Sequence, residues 1–215
     1  MLSKTTALLV AAAALGCTAP PPDDGYLETL TADRALKNDV FAASPESPVR
    51  PEHRDLFLPL SYYEIDERFR VPATLDPAPE SATFTMPTST GSLRAMRRAG
   101  TLRFSLGGRP LQLSAFVEAE DRTLERLFVP FADSTNDGET YAAGRYLELD
   151  RTATGLYDLD FNRGFNPYCY FDASYDCPFP PRENRLDVAI TAGEKVRPEA
   201  LSAGLVLVPD PRPVP

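Results

Sequence analysis

Residues 160–186 hold the side chains of this sequence that are best suited to chemistry: two cysteines, asparagines, carboxylates, arginines and aromatic rings among several prolines. Two carboxyl groups can act as general acid and general base, as in glycoside hydrolysis, and Asp160 and Glu183 are the candidates for such a pair. Amide and guanidinium groups can instead orient a ligand while aromatic rings cover its apolar or sugar face. Carboxylate catalysis and ligand binding are therefore the two functional hypotheses for this segment.

The candidate ligand-binding residues combine aromatic rings with amide, guanidinium and carboxylate groups. They are Tyr141, Arg145, Tyr146, Asp160, Asn162, Asn166, Glu183 and Asn184. The alternative is structural, because an irregular, proline-rich loop cannot pair as a sheet and needs side chains to satisfy its buried backbone groups. On the sequence alone both interpretations stay open.

Cys169 and Cys177 are close in sequence, and a disulfide between them would stabilise the fold by about 2.5 kcal/mol through the loss of denatured-state entropy. The alternatives are unpaired structural thiols, a cysteine nucleophile and a metal site. A zinc site needs further ligands and a nucleophile needs a base, yet the chain has one histidine, His53. We predict a disulfide, no metal site and no bound cofactor.

The segment "DSTNDGETY" places Asp133, Asp137 and Glu139 around Gly138, which is a composition found in calcium loops. An EF-hand requires a glutamate at its twelfth position, where this chain has Gly144. An Asx-rich turn between two strands explains the same residues. The sequence also lacks a Gly-x-Ser-x-Gly elbow, a P-loop and a dinucleotide fingerprint.

Residues 1–16 are typical of a secretory signal peptide, with Lys4 before an apolar run that is too short to span a bilayer. The segment ends in Gly16-Cys17, which resembles a bacterial lipobox and predicts lipidation of Cys17. The alternative is an ordinary signal peptide that is cleaved nearby. Residues 17–25 are rich in proline and acidic residues and are predicted to form a flexible tether.

Two or more acyl chains on Cys17 would anchor the protein stably to a membrane, and this anchor is the only membrane contact that we expect. Thr18 after the cysteine favours the outer membrane, so that the domain would face the periplasm or the cell surface. Oxidising conditions there favour the disulfide. The formal net charge of −9 argues against a nucleic-acid partner, which would require a basic surface. Protein partners cannot be deduced.

Two stretches near the N-terminus have helical patterns. The apolar spacing of Tyr26–Phe41 predicts an amphipathic helix that ends before Pro45. A proline-initiated helical turn around Pro51 would bring Leu56 and Phe57 onto the body of the fold.

Beyond Leu60 the apolar period changes towards two, which is typical of strands. Gly107-Gly108 is a strong hairpin signal between two such segments. These patterns predict a mainly β fold, an antiparallel β-barrel or sandwich meander of roughly seven to nine strands with a short N-terminal helical region. We expect one β-rich domain over residues 26–200, followed at 201–215 by a C-terminal strand and a proline-rich tail.

Several motifs occur in a specific order: "GRYL", "DFN", "NPYC", "CPFPP" and "EN". In this order they closely resemble the domain-of-unknown-function family 1684, a bacterial and archaeal family. The resemblance covers about residues 26–197. It implies a fold and a set of positions to watch, among them the candidate ligand-binding residues, but it implies no reaction.

The leading hypothesis is a lipid-anchored cell-envelope protein that binds a small molecule or glycan at its C-terminal loop region. One alternative is an envelope hydrolase that uses Asp160 and Glu183 as acid and base. A second alternative is a structural or assembly lipoprotein that binds another protein. Whether the protein is an enzyme stays open on the sequence.

Overall fold

A computed structural model describes residues 25–79, 83–121 and 125–206. The predicted signal peptide at 1–16, the lipidation site Cys17 and nearly all of the predicted tether at 17–25 lie outside the described residues. The helices are α1 (Tyr26–Ala43), α2 (Arg54–Phe57) and α3 (Pro198–Ser202). The helix predicted from Tyr26 and the helical turn that begins near Pro51 are both confirmed.

In the described part of the chain, seven strands form one antiparallel sheet. They are β1 (Arg70–Pro77), β2 (Thr83–Pro87), β3 (Leu93–Leu106), β4 (Arg109–Glu118), β5 (Arg126–Phe131), β6 (Arg145–Asp150) and β7 (Leu156–Asp160). The hydrogen-bonded order is β6-β5-β4-β3-β1-β7, and β2 pairs with β3 beside this path. The sheet curls into a nearly closed, barrel-like shape, which confirms the predicted mainly β, antiparallel class.

The longest hairpin joins β3 to β4 through Gly107 and Gly108, as the sequence predicts. Both glycines have positive φ, 57° and 78°, which the tight turn requires and which glycine adopts at little cost. A register shift between Arg98 and Gly100 kinks β3. Such a bulge increases the local twist and helps the sheet to curl.

The barrel interior is filled by the inward-facing side chains of the strands. Leu113, Ala115 and Val117 alternate along β4 and are buried, as predicted, while Leu111 is only partly buried. This core also takes in Ile190 from the C-terminal segment. Burial of such residues contributes about 1.5–3 kcal/mol for each large side chain.

A second core lies outside the barrel, where the helices and the 160–186 loop pack together. It is rich in aromatic rings, with Phe57 against Tyr170 and Phe171 at centroid distances of 5.3 and 5.4 Å. Both cysteines belong to this cluster. The loop that the sequence marks as chemically rich is therefore also a packed structural element.

Helix α1 is fixed to the barrel mainly by polar contacts, because only Tyr26, Leu30 and Phe41 of its residues are buried. The hydroxyl of Tyr26 donates to Asp160 Oδ2 at 2.9 Å. Lys37 Nζ lies 2.5 Å from Glu194 Oε1. These contacts place α1 beside the loop region and make it one wall of the cavities described below.

The C-terminal end of the described chain differs from expectation. Residues 198–202 form α3, and Leu205 and Val206 are not in a strand. The rest of the predicted strand and the proline-rich tail lie outside the described residues. Proline at the first position of α3 favours helix initiation, since its missing N–H would have no partner there.

Candidate functional site

Arg145, at the start of β6, is fully buried and is bound by oxygen acceptors. Its guanidinium donates to Asp133 Oδ2 at 2.8 Å and to the Ile190 carbonyl at 2.9 Å. It also donates to the carbonyl oxygens of Ala192 and Glu194. Arg145 therefore holds the C-terminal segment against the sheet, and its charge is balanced within the fold.

Asn184 links β4 to β5 where these strands separate. The two strands share a single register pair, Phe116 with Phe128. The Asn184 amide donates to the carbonyls of Ser114 at 2.9 Å and Pro130 at 2.7 Å, and its oxygen accepts from Ser114 N at 2.7 Å. Because a side-chain amide carries one carbonyl acceptor and two N–H donors, Asn184 can replace ladder bonds on both strands at once.

Asp160 and Asn162 fix the end of β7. Asp160 Oδ1 accepts from the Asn162 backbone N–H at 3.0 Å and caps the helical turn 161–163. The Asn162 amide pairs with both backbone groups of Asp66, at 3.0 and 2.9 Å. These contacts have the structural role that we weighed as the alternative to ligand binding.

Asn166 lies beside Glu194, a buried carboxylate in the C-terminal segment. Asn166 N donates to Glu194 Oε2 at 2.8 Å, and its side-chain nitrogen donates to the Lys195 carbonyl at 3.1 Å. Glu194 is 1% exposed and also receives Lys37 and the Tyr62 hydroxyl on Oε1. The partners of Glu194 come from distant parts of the sequence, which only the fold brings together.

The eight candidate residues do not converge on one shared site. Tyr141 is buried, and its hydroxyl donates to Cys169 Sγ at 3.9 Å. Tyr146 donates to the Pro178 carbonyl at 2.6 Å. Glu183 is exposed and forms an ion pair with Arg98. Most of the predicted polar groups thus hold backbone in place, as a proline-locked loop requires.

Asp160 and Glu183, the carboxylates proposed for catalysis, have different neighbours. Asp160 is 4% exposed and bound to Tyr26 and Asn162, whereas Glu183 lies on the turn 182–184 against Arg98. Neither residue lines the two cavities described next. The structure therefore does not bring this acid–base pair together.

The "DSTNDGETY" segment forms the turn that the sequence offered as the alternative to a calcium loop. Asp133 caps the helical turn 134–136, accepting from Thr135 N at 2.9 Å, and Asn136 returns a bond to Asp133 N. Gly138 has φ of 134°. Among the described residues, no group of three or more His, Cys, Asp or Glu side chains is arranged to hold a metal ion.

An open cleft of about 590 Å³ lies between α1, the sheet and the 160–186 loop. We call it the aromatic cleft, since rings from the sheet and the loop form its walls: Phe128, Tyr146, Phe165, Tyr168 and Tyr175. Tyr168 and Tyr175 contact each other edge to face at 5.2 Å, and Phe128 contacts Tyr146 at 4.7 Å. Tyr168 is 44% exposed. This volume and lining are typical of small-molecule sites.

Charged groups surround the aromatic cleft, and they pair mostly with one another. Arg94 lies 3.4 Å from Asp176 and 3.7 Å from Glu118. Arg126 lies 3.2 Å from Glu148. The rim can therefore offer either sign of charge to a ligand after a small rearrangement, while the floor stays apolar.

A smaller cavity of about 200 Å³ adjoins the aromatic cleft, and Lys37 and Phe165 line both. Its walls include Asn162 and Tyr62, and the Arg34 guanidinium lies 4.4 Å from the Tyr62 ring centre. Burial raises the pKa of the Tyr62 hydroxyl, and the neighbouring Glu194 adds to this effect. The Tyr62 hydroxyl is therefore a hydrogen-bond donor at neutral pH.

Of the eight candidate residues, Tyr146 lines the aromatic cleft and Asn162 lines the smaller cavity. The sequence predicts a ligand site with Tyr141 and Tyr146 as its rings, whereas the aromatic cleft is lined by Tyr146 together with Phe128, Phe165, Tyr168 and Tyr175. Tyr168 directly precedes Cys169 and Tyr175 lies between the two cysteines, so both were visible in the sequence as rings in a proline-rich loop. Lys37 and Arg94 could not be found this way, because they come from α1 and β3.

Cys169 and Cys177 are buried side by side as free thiols in this structure, so the predicted disulfide is not formed here. The Cys169 backbone N–H donates to Cys177 Sγ at 3.1 Å. Cys177 lines the aromatic cleft, and Cys169 does not. The two sulfurs therefore differ in their access to a ligand.

The surroundings of the two thiols also shift their pKa values in opposite directions. The hydrogen bond from the Cys169 thiol lowers the pKa of Cys177, with smaller contributions from the Cys169 N–H and Arg94, against burial and Asp176, which raise it. The pKa of Cys169 is raised by this hydrogen bond and by burial. Of the two thiols, Cys177 is therefore the one that loses its proton more readily.

The chain matches the family described as "Protein of unknown function (DUF1684)" over residues 55–195. The chain belongs to this family. This DUF1684 domain includes the whole sheet, both cysteines and Glu194, and so it includes most of the aromatic cleft. Lys37 on α1 lies before the matched residues, so α1 adds one wall to a site that is otherwise built by the DUF1684 domain.

A solved structure with the same fold is that of an uncharacterized protein of Haloarcula marismortui, determined by solution NMR. It is 34% identical, with a TM-score of 0.63 over 80% of this chain and 95% of that chain. No curated protein matches this DUF1684 chain. Among the described residues, no helix has the length and apolar character needed to cross a bilayer.

Proposed function

We propose that this DUF1684 protein is a lipid-anchored binding protein of the cell envelope, which receives a small molecule or glycan in the aromatic cleft. The observation that carries the proposal is the open 590 Å³ volume with five aromatic side chains on its walls. Exposed rings offer flat faces to planar or sugar groups, and each such contact contributes about 0.5–1.5 kcal/mol beyond the buried area. The charged rim then orients the ligand.

Support for the envelope location comes from the sequence. Gly16-Cys17 resembles a lipobox, and a multiply acylated Cys17 would tether the domain to the outer membrane, facing the periplasm or the surface. α1 begins at Tyr26, only a few residues after the lipidation site, so the tether is short. The aromatic cleft would then lie close to envelope material.

Binding is tested with a fluorescent reporter, because the chain contains no tryptophan. Tyr168→Trp places a single indole in the cleft wall, and Leu156→Trp, on an exposed residue of β7 that does not line the cleft, is the matched control. Neutral oligosaccharides and planar aromatic acids and amines are the probes. We expect an emission change with at least one probe class for Tyr168→Trp and none for Leu156→Trp.

The contribution of the rings is tested by truncation. Tyr168→Ala should weaken binding of the responding probe about tenfold, measured by calorimetry, while Leu156→Ala should bind as the native protein does. Equal affinity of Tyr168→Ala and native protein, or no response from either probe class, would contradict the proposed cleft.

The anchor is tested separately. Cys17→Ser should abolish labelling by a fatty-acid analogue and move the protein from the membrane fraction to the soluble fraction. Cys177→Ser is the control, since it changes a cysteine but keeps the lipobox. Persistent labelling of Cys17→Ser would contradict lipidation at this residue.

A further inference from the structure

Cys177 is held at the wall of the aromatic cleft by contacts from the β2–β3 turn. Its N–H donates to Ser89 Oγ at 3.0 Å, and Ser89 N donates to the Cys177 carbonyl at 2.9 Å. Pro178, the residue after Cys177, forms an antiparallel β-bridge with Thr88. The backbone on both sides of the Cys177 thiol is therefore fixed by the sheet.

Cys169 contacts the Cys177 sulfur but does not line the aromatic cleft. It lies on the turn 168–170, and its backbone N–H donates to Cys177 Sγ at 3.1 Å. The Tyr141 hydroxyl in turn donates to Cys169 Sγ at 3.9 Å. A thiol at a cavity wall whose pKa is lowered, next to a buried thiol whose pKa is raised, is an arrangement that favours thiol–disulfide exchange.

The charged groups around Cys177 also affect the ionisation of its thiol. Arg94 is the nearby cation, and its guanidinium donates to the Asp176 carbonyl at 2.8 Å. Asp176 opposes it, but its carboxylate is bound to Thr90 and Arg94. Tyr146 is uncharged at neutral pH, because burial raises the pKa of its hydroxyl far above the usual value.

We propose that Cys177 is the attacking thiol and Cys169 the resolving thiol of a redox-active pair, whose substrates in the aromatic cleft are low-molecular-weight disulfides and thiols. The inference rests on the proposed function in using the same cleft, and it names the ligand class that would react there. It also gives the predicted disulfide a role as the oxidised state of a reversible couple.

The exchange balances in two steps. The Cys177 thiolate attacks one sulfur of a disulfide R–S–S–R, whose S–S bond breaks, and the departing R–S⁻ takes a proton from water. Cys169 then loses its proton to water and attacks Cys177 Sγ, and the second R–S⁻ departs and is protonated. The small disulfide gains two electrons, and the two cysteines become one disulfide. An excess of R–SH reverses both steps.

The test uses the native chain and the variants Cys177→Ser and Cys169→Ser, with oxidised glutathione and cystine as probes and intact mass as the readout. We expect the native protein to lose two hydrogen atoms as its disulfide forms. Cys169→Ser should retain one half of the probe as a mixed disulfide on Cys177. Cys177→Ser should react at least about tenfold more slowly than Cys169→Ser. Thermal unfolding of both variants confirms that they fold, and denatured samples should react equally at either cysteine.

Equal reactivity of the two folded variants would overturn the proposal, as would a native bridge that millimolar reduced glutathione fails to open. The first result indicates two equivalent thiols, and the second a permanent structural disulfide. If the thiols are inert but Tyr168→Trp still responds to its probes, only this inference fails. If the thiols exchange but the reporter is silent, the proposed binding of planar or sugar ligands fails instead.

Discussion

Arg145 and Asp133 form an ion pair at 2.8 Å in which neither side chain has any exposed surface. Asp133 also accepts from the N–H groups of Thr135 at 2.9 Å and Ile190 at 3.1 Å. The pair thus joins β6, the loop after β5 and the C-terminal segment. Two charges are removed from water here, and only their close pairing and hydrogen bonds compensate for this.

Breaking this pair should strongly destabilise the fold. We expect Asp133→Asn to lower the free energy of unfolding by about 3–5 kcal/mol, because it leaves the Arg145 charge buried without a counter-ion. Urea denaturation measures the change. Asp187→Asn, which breaks the exposed pair with Arg109, should cost less than about 1 kcal/mol. Similar losses for both variants would contradict a special role for the buried pair.

Asn184 should tolerate even an isosteric change poorly. Asn184→Asp keeps the shape but loses the amide donors, so that the carbonyls of Ser114 and Pro130 lose a partner and a charge is buried. We expect a loss of about 3 kcal/mol or more in urea denaturation at pH 7. Gln112→Glu adds the same charge on an exposed residue of β4 and should stay within about 0.5 kcal/mol of the native protein.

Gly193 allows a close approach that a side chain would prevent. Its φ is +78°, and a Cβ atom would lie 2.5 Å from the Gly164 carbonyl oxygen and 2.7 Å from that of Phe161. Gly91 has a similar φ of +83° but nothing within 4 Å. Gly91→Ala should therefore cost about 1 kcal/mol, the conformational part alone. Gly193→Ala should cost at least about 3 kcal/mol, and equal thermal stability of the two variants would be the contrary result.

Asp172 makes part of the stability depend on pH. Bidentate hydrogen bonds from Arg50, at 2.6 and 2.9 Å, lower its pKa to about 2. Because the folded pKa lies below the unfolded value of about 3.9, this contribution is present above that value and is lost as the pH falls through 2. It is worth at most about 1 kcal/mol, because the Arg50 side chain is 51% exposed and water screens the pair.

An NMR titration of the Asp172 carboxyl checks this prediction. Arg50→Gln should raise the pKa of Asp172 towards the ordinary value. The variant should be less stable than native protein at neutral pH, and the two should be equally stable below about pH 2. Arg109→Gln, at a distant exposed ion pair, should leave the titration unchanged. An Asp172 pKa that is the same in native protein and Arg50→Gln would show that Arg50 is not the cause.

The fold was predictable because its signals are local. The alternation at Leu113, Ala115 and Val117 and the turn at Gly107-Gly108 depend on neighbours in sequence, and both are confirmed. The helix predicted from Tyr26 also follows a local pattern, although polar contacts rather than an apolar stripe fix it to the barrel.

The sequence indicates a candidate region at residues 160–186, but it does not show what the polar side chains there contact. Sequence patterns show that Arg145, Asn162 and Asn184 are polar, but they do not show which backbone groups lack a sheet partner. The structure assigns these side chains to such groups. The aromatic cleft depends instead on rings from β5, β6 and the 160–186 loop, which the fold brings together.

The carbonyls that Arg145 binds belong to alternate residues, Ile190, Ala192 and Glu194. At the adjoining position of β6, Tyr146 exchanges two backbone hydrogen bonds with Phe165. The edge of β6 is thus paired at Tyr146, where a foreign strand finds no free partner. Because Glu194 N donates to the Gly164 carbonyl, the segment that Arg145 holds also supports Phe165, and we expect an Arg145 variant that still folds to be prone to self-association.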